Sequence, residues 1–416
     1  MLARPFLGLT VATIVLIGCR PQTPPDLILF NGKIVPATSP DTFVEAIAIR
    51  GDRIIAVGSS ADIRHLGGTR QIDLHGRTVI PGVNDAHFHF STDPKGVRLT
   101  LRSMEPSWKE VAEAIRQAVK QVPRGTWIFG SVGQAVVLDP KITRDELDRI
   151  APAYPVLLRA YYSHGYIMNS KAIAETGIAE DEPDPAGGRY ERVSSSSRRI
   201  SGRLWEYAQW KPDRAVQAQV TGDEAIAALR LMSKHAVVFG ITSMQVMPAM
   251  PIDRFARLLV KADLPIRIRA IPFLPTTIAG RDLSEIRMIP SMQFPNSKVT
   301  VSGIKWILDG TPIEQGAALR RDYPTRPGWK GVLNFPEPEI ASIVQESLDF
   351  KQQLLLHTTG DRSAEAILRA MEGQPSVDWK SKRVRFEHGD GVLSELIPRA
   401  RALGVIVVQN PMHFAL

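Results

Sequence analysis

The chain has 416 residues, 44% of them hydrophobic and 23% charged, which is enough for one large domain with a smaller companion. Net charge is +8, but the basic residues are scattered, with no Lys/Arg run and no interleaved aromatics, so the pattern argues against nucleic acid as a partner. A single cysteine excludes an intramolecular disulfide.

Residues 1–18 read as a signal peptide. Arg4 supplies a minimal positive start, and Phe6 to Ile17 is mostly apolar but short for a bilayer span. The stretch ends in Leu16-Ile17-Gly18-Cys19, which resembles the lipobox of bacterial lipoproteins. That resemblance implies lipidation at Cys19, export, and a lipid anchor holding the protein on a bacterial membrane, facing the periplasm. The plainer reading of Cys19 is an apolar residue of a cleaved leader. Residues 19–25 then read as a Pro-rich tether.

Residues 26–80 show short strands and tight turns, a small β-sheet module. Leu27 to Phe30 and Lys33 to Val35 flank Asn31-Gly32, a hairpin signal; Glu45 to Arg50 and Arg53 to Val57 flank Gly51-Asp52; Gln71 to Leu74 and Arg77 to Ile80 flank His75-Gly76. From residue 81 to 416 helical stretches alternate with apolar strands. Helices are predicted over Trp108 to Val122, Thr143 to Ile150, Glu224 to Phe239 and Pro251 to Ala262. Strands are predicted over Thr126 to Ser131, Pro155 to Tyr161, Ile241 to Val246, Ile266 to Phe273, Val299 to Leu308, Leu354 to His357, Val384 to His388 and Val405 to Gln409. Pro183 to Gly202 reads as an excursion loop. The alternation predicts an α/β fold, a (β/α)8-type barrel.

Chemistry is concentrated where such strands end. In TVIPGVNDAHFHF, Thr78 to Phe90, His87 and His89 stand two apart and face the same way on a strand. His357, His388 and His413 follow other apolar runs. Any one of them reads equally well as a hydrogen-bonded histidine; together at one rim they point to a divalent metal. Lys305 carries two readings, an inward lysine paired with an acid such as Asp309, or a lysine carbamylated by CO2 that bridges two cations.

PGVNDAHFHF is similar to the PGF-x-D-x-H-x-H signature of metal-dependent amidohydrolases. SHGYIMNSKAI, GGRYERV with SGRLWEYA, GIKWILDG, LLLHTTGDRSAEAIL, VRFEHGD and LGVIVVQNPMH resemble the amidohydrolase-3 (YtcJ-like) branch in the same order. The resemblance implies a hydrolase acting on non-peptide C–N bonds of a small molecule through metal-activated hydroxide, on a barrel with a small β-sandwich. It implies one or two ions, zinc by expectation: His87 and His89 on the first, carbamylated Lys305 as the bridge, His357 and His388 on the second. His164, Asp309 and His413 are implied near the substrate, and Asp361 is expected to cap a helix. The family's proton carrier, an aspartate after the eighth strand, has no counterpart before Leu416, so the catalytic residue is unknown and the barrel is expected to lack its last strand. Asp390 reads as an exposed turn residue. The competing reading is a truncated, non-catalytic lipoprotein that keeps the scaffold. Association into an oligomer is left open.

Overall fold

In the computed structural model, residues 23–38 and 42–410 are described. They form two compact units, divided between Gly82 and Val83.

The smaller unit is a four-stranded sheet in the order Arg53–Gly58, Ala46–Arg50, Leu27–Phe30, Arg70–Asp73. Ala46–Arg50 and Arg53–Gly58 form the expected hairpin around Gly51-Asp52, with Arg50 opposite Arg53. The other two turns form without hairpins. Leu27–Phe30 runs parallel to Arg70–Asp73, and Lys33–Ile34 runs parallel to Thr78–Val79. The two chain segments travel side by side and bend together, joined at the bend by Gly76 N–H to the Asn31 carbonyl (2.7 Å) and Asn31 Nδ2 to Asp73 Oδ1 (2.9 Å). His75 and Gly76 are both at positive φ, but at Asn31-Gly32 only Asn31 is, so no type I′ turn forms there, and pairing is decided by distant partners.

The larger unit contains two parallel sheets. One orders Val299–Val301, Arg267–Ala270, Ile241–Pro248 and Val83–Phe90; the other orders Ile304–Ile307, Leu354–Thr358, Arg385–His388 and Ile406–Val408. The predicted Val299 to Leu308 strand is broken at Ser302-Gly303. Ser302 N–H bonds the Ala270 carbonyl (3.2 Å) and Ile304 N–H bonds the Gln353 carbonyl (2.9 Å), while Lys305 N–H bonds the Pro272 carbonyl (3.1 Å), so the chain gains a second neighbour there and keeps the first. Gly303 makes the step at φ 89, and a Cβ on it would sit 2.8 Å from Arg269 Nη2. One hydrophobic core runs behind both sheets, including Val246, Ile268, Val301, Trp306, Leu356 and Phe386.

Trp127–Val132 and Val156–Ala160, expected to belong to the same series, instead sit in a six-stranded mixed sheet. Its order is Gly188–Arg192, Ile200–Glu206, Gly165–Met168, Val156–Ala160, Trp127–Val132, Gly96–Arg98. After Ala160 the chain reverses without a helix, Ser163 taking φ 66, and returns antiparallel as Gly165–Met168. The stretch read as an excursion loop is largely the hairpin of Gly188–Arg192 and Ile200–Glu206. Alternation along Trp127–Val132 puts Ile128 and Val132 in one core, with Val111 and Ile115 of the Trp108–Gln121 helix; Trp127 and Phe129 lie in another, with Tyr166 and Met168.

Helix ends follow local rules. Ser107 accepts from Glu110 N–H (3.2 Å), and Thr221 and Glu224 form a reciprocal capping box on Gly222–Val238. Among the described residues, no helix is long and apolar enough to cross a membrane.

Candidate functional site

A cavity of about 1750 Å³ opens in the larger unit. Part of its lining comes from the parallel strands (His87, His89, Lys305, His357, His388) and part from the mixed sheet and the helix after it (Arg159, His164, Tyr166, Trp210, Asp213).

His87 and His89 turn Nε2 toward each other across 3.1 Å. The other nitrogen of His87, Nδ1, meets Glu387 Oε2, and Glu387 Oε1 accepts from Arg385 Nε at 2.7 Å. Arg385 is anchored in turn on the Gln245 side chain and the Ala86 carbonyl (2.6 Å). With Nδ1–H given to a carboxylate, His87 keeps its Nε2 lone pair. Burial raises the Glu387 carboxyl, but the hydrogen bond from His87 and the charges of Lys305, His87 and Arg385 outweigh it and hold it at about 2.

His357 and His388 come from adjacent strands, Thr358 standing opposite His388. Strand alternation would send His388 to the opposite face from Glu387. Its φ of 69 turns the chain instead, and its ring meets those of His87 (centroids 4.8 Å) and His357 (4.7 Å). Burial holds His357 well below the ordinary imidazole value, helped by the charges of His164 and His388. His89 is open to the cavity but sunk within it, and burial with the charges of His87 and Lys305 depresses it likewise. The His89 and His357 rings are therefore neutral near pH 7, the form that donates a lone pair to a metal.

Lys305 does not end its strand; it lies one pleat below Ile307, which pairs with His357. It is 1% exposed, and its Nζ has no hydrogen-bond partner among the described residues. Burial pulls its pKa down to about 7, against the attraction of Glu387 and with the repulsion of Arg385. Asp309, its expected partner and an expected substrate contact, makes no bond to Lys305 among the described residues and is not part of the cavity lining. Its carboxylate is fully buried and taken by four donors: Ala318 N–H (2.9 Å), Thr359 N–H (3.2 Å), Gly360 N–H (2.8 Å) and Ser363 Oγ (2.9 Å). It ties the loop after one strand to the start of the Asp361–Glu372 helix. Asp361 is the first residue of that helix rather than its cap, and it accepts from Arg320 N–H (2.9 Å) and Nε (2.8 Å).

His164 lies with its ring 4.5 Å from that of His357 and its Nδ1 2.9 Å from Glu206 Oε1. Burial pulls it down, but the charge and hydrogen bond of Glu206 outweigh this and raise it to about 9. Glu206 sits at φ 52 and also accepts from Asn334 Nδ2 (3.0 Å). Glu314, pushed up to about 7 by burial, joins them; ligand atoms of His164, Glu206 and Glu314 lie within 4.8 Å of one another. Glu206, Glu314, Arg385 and Glu387 escaped sequence reasoning. Only Glu387 had a signal, as an acid alternating with Arg385 on the strand that delivers His388. Asp390 is an exposed residue at the cavity lining. His413 and Cys19 lie outside the described residues.

Parallel strands carrying four imidazoles and a buried lysine into one cavity define a mixed α/β scaffold of hydrolase type. The amidohydrolase family profile matches residues 70–415, and the chain belongs to that family. Protein LONG AFTER FAR-RED 3 of Arabidopsis thaliana is 25% identical over 434 aligned residues, covering 98% of this chain and 73% of that protein. The N-substituted formamide deformylase of Arthrobacter pascens is 24% identical over 411 residues, 93% of this chain and 73% of that enzyme. A solved structure of an uncharacterized metal-dependent hydrolase from Pyrococcus horikoshii OT3 superposes with TM-score 0.64 at 20% identity, covering 93% of this chain and 75% of that one. At that identity the likeness shows a shared fold.

Proposed function

We propose that the protein is a metal-dependent hydrolase that cleaves a carbon–nitrogen bond, other than a peptide bond, in a small molecule, on a (β/α)8-type barrel preceded by a small β-sandwich module. His87, His89, Lys305, His357 and His388 would hold one or two divalent cations, zinc being favoured by the imidazole donors. Lys305 would be carbamylated where two are bound; only an uncharged amine adds CO2, and its depressed pKa supplies one.

The reading rests above all on the Glu387–His87–His89 arrangement. Two imidazole nitrogens 3.1 Å apart, one ring pinned by a carboxylate through its far nitrogen, suit a single tetrahedral ion. At metal–nitrogen distances of about 2.0–2.1 Å such nitrogens stand roughly 3.3 Å apart. A cation there would acidify water and polarise the scissile carbonyl. This chain's own residues do the rest. Glu387 and Arg385 fix the His87 tautomer. Phe273, its ring 5.1 Å from that of His89, walls the site with hydrocarbon. His164, gripped at Nδ1 by Glu206, leaves Nε2 as the ring atom to meet substrate. The deformylase relative, by its name active on N-substituted formamides, supports a small acyl amide as the bond class.

Purified protein should carry near-stoichiometric zinc or a similar ion, and His87→Ala should lose both the ion and turnover of N-formyl amines. Full activity in that variant removes the proposal. The lipid anchor is a separate proposal, supported by the Leu16 to Cys19 motif. Cys19→Ser should move the protein from membrane to soluble fraction; continued membrane attachment overturns it.

A further inference from the structure

The cavity of this basic chain is acidic. Away from the imidazoles its lining carries Glu105, Asp139, Asp213 and Asp390 against Arg159 and Lys305, on a chain of net charge +8. The excess matters most at Asp213, in the first turn of the Trp210–Ala218 helix. Among the described residues its carboxylate has one hydrogen-bond donor, the Tyr166 hydroxyl, 2.7 and 2.9 Å from its two oxygens. A carboxylate can accept about four hydrogen bonds. Asp309, fully buried where Asp213 is half-buried at the cavity wall, has four donors.

The neighbouring Arg159 attracts this carboxylate but makes no hydrogen bond to it among the described residues, and its buried Nη2 has no hydrogen-bond partner. Arg159 spends its Nη1 on Asp93 (2.8 Å) and lies over the rings of Phe129 and Tyr166. Burial outweighs the attraction of Arg159 and raises Asp213 to about 6. Trp210 stands one helical turn before Asp213, on the same face. Its ring meets Phe273 at 4.5 Å, and Phe273 meets His89 at 5.1 Å.

We propose that this wall is a subsite for a cationic group on the substrate, an ammonium held by the Asp213 carboxylate beside the Trp210 ring, one helical turn and two ring contacts from His89. A carboxylate short of donors and an aromatic face are the two features that recognise such a group. Only the word substrate rests on the hydrolase reading; the subsite itself is a binding property.

The test is calorimetric binding of 3-phenylpropylammonium, its neutral alcohol isostere and 3-phenylpropanoate. The ammonium should bind at least about ten-fold tighter than the alcohol, and Asp213→Asn should remove that advantage while leaving the alcohol within about two-fold. Equal binding of ammonium and alcohol, preference for the carboxylate, or an unaffected variant overturns the proposal. Should the variant not fold, the wild-type comparison decides alone. Turnover of an N-formyl diamine and an N-formyl alkylamine separates the two readings. Ammonium binding with neither amide cleaved removes the hydrolase and leaves the subsite. Equal cleavage without ammonium preference does the reverse.

Discussion

Asp213→Asn has a consequence for stability that runs against the usual cost of altering a half-buried, hydrogen-bonded polar residue. The groups acting on this carboxyl are burial first, then Arg159, Tyr166, Asp93 and Arg214. Their sum lifts the folded pKa from 3.8 to about 6. A raised folded value means the carboxyl favours the folded state below its unfolded pKa, and that contribution is lost as pH rises through about 6. At about 1.4 kcal/mol per unit, a shift of about two units corresponds to about 3 kcal/mol of strain above neutrality. Solvent at the cavity wall screens part of this, leaving about 1–2 kcal/mol. Asparagine keeps an oxygen for the Tyr166 hydroxyl and carries no charge. Urea denaturation at pH 8 should therefore find the variant more stable by about 1–2 kcal/mol, with the difference below about 0.5 kcal/mol at pH 4. A variant less stable than the parent at both values refutes the reasoning, because Asp213 would then be well compensated.

Glu387→Gln removes the anion that pins His87, and chelator competition should show metal affinity falling about 10–100-fold; unchanged affinity would sink the ligand assignment. With 13C-labelled bicarbonate, the metal-loaded protein should give a carbamate resonance that Lys305→Met abolishes, and its absence from the parent removes the bridging role. Gly303→Ala forces a φ of 89 on a Cβ that must also displace Arg269, and should cost about 1–3 kcal/mol in the same denaturation assay. Parent-like stability there would mean the kink relaxes freely.

What could be read from the chain follows from how far each determinant reaches. The helix over Trp108–Gln121 and the capping box at Thr221 and Glu224 depend on residues three or four apart, so periodicity and capping found them. Turns at Asn31 and His75 were equally local, but their strands pair with segments more than forty positions away, which no turn signal encodes. The helix–strand alternation from Trp108 to Ala160 looked like a continuation of the parallel series until a helix-free reversal sent it into the mixed sheet. At the site, strand spacing brings His87 and His89 face to face. It could not foresee the left-handed turn at His388, nor that backbone donors would take up the Asp309 carboxylate. Asp213 was invisible for the same reason: its surroundings, Tyr166 and Arg159, are brought to it by two strands of the mixed sheet.

The mixed sheet carries a consequence for adaptability. Everything between Ser91 and Gly240 departs from the first strand of one parallel sheet and returns to pair beside it, since Val83–Phe90 and Ile241–Pro248 are direct neighbours. That detour furnishes Arg159, His164, Tyr166, Trp210 and Asp213, while the converging imidazoles His87, His89, His357 and His388 and Lys305 lie outside it. On the proposed reading, recognition and reactivity fall on different lengths of polypeptide. Exchanging the detour for that of a relative should retune which molecules enter while the reacting core stays as it was, a modular route by which one hydrolytic engine could be fitted to many diets.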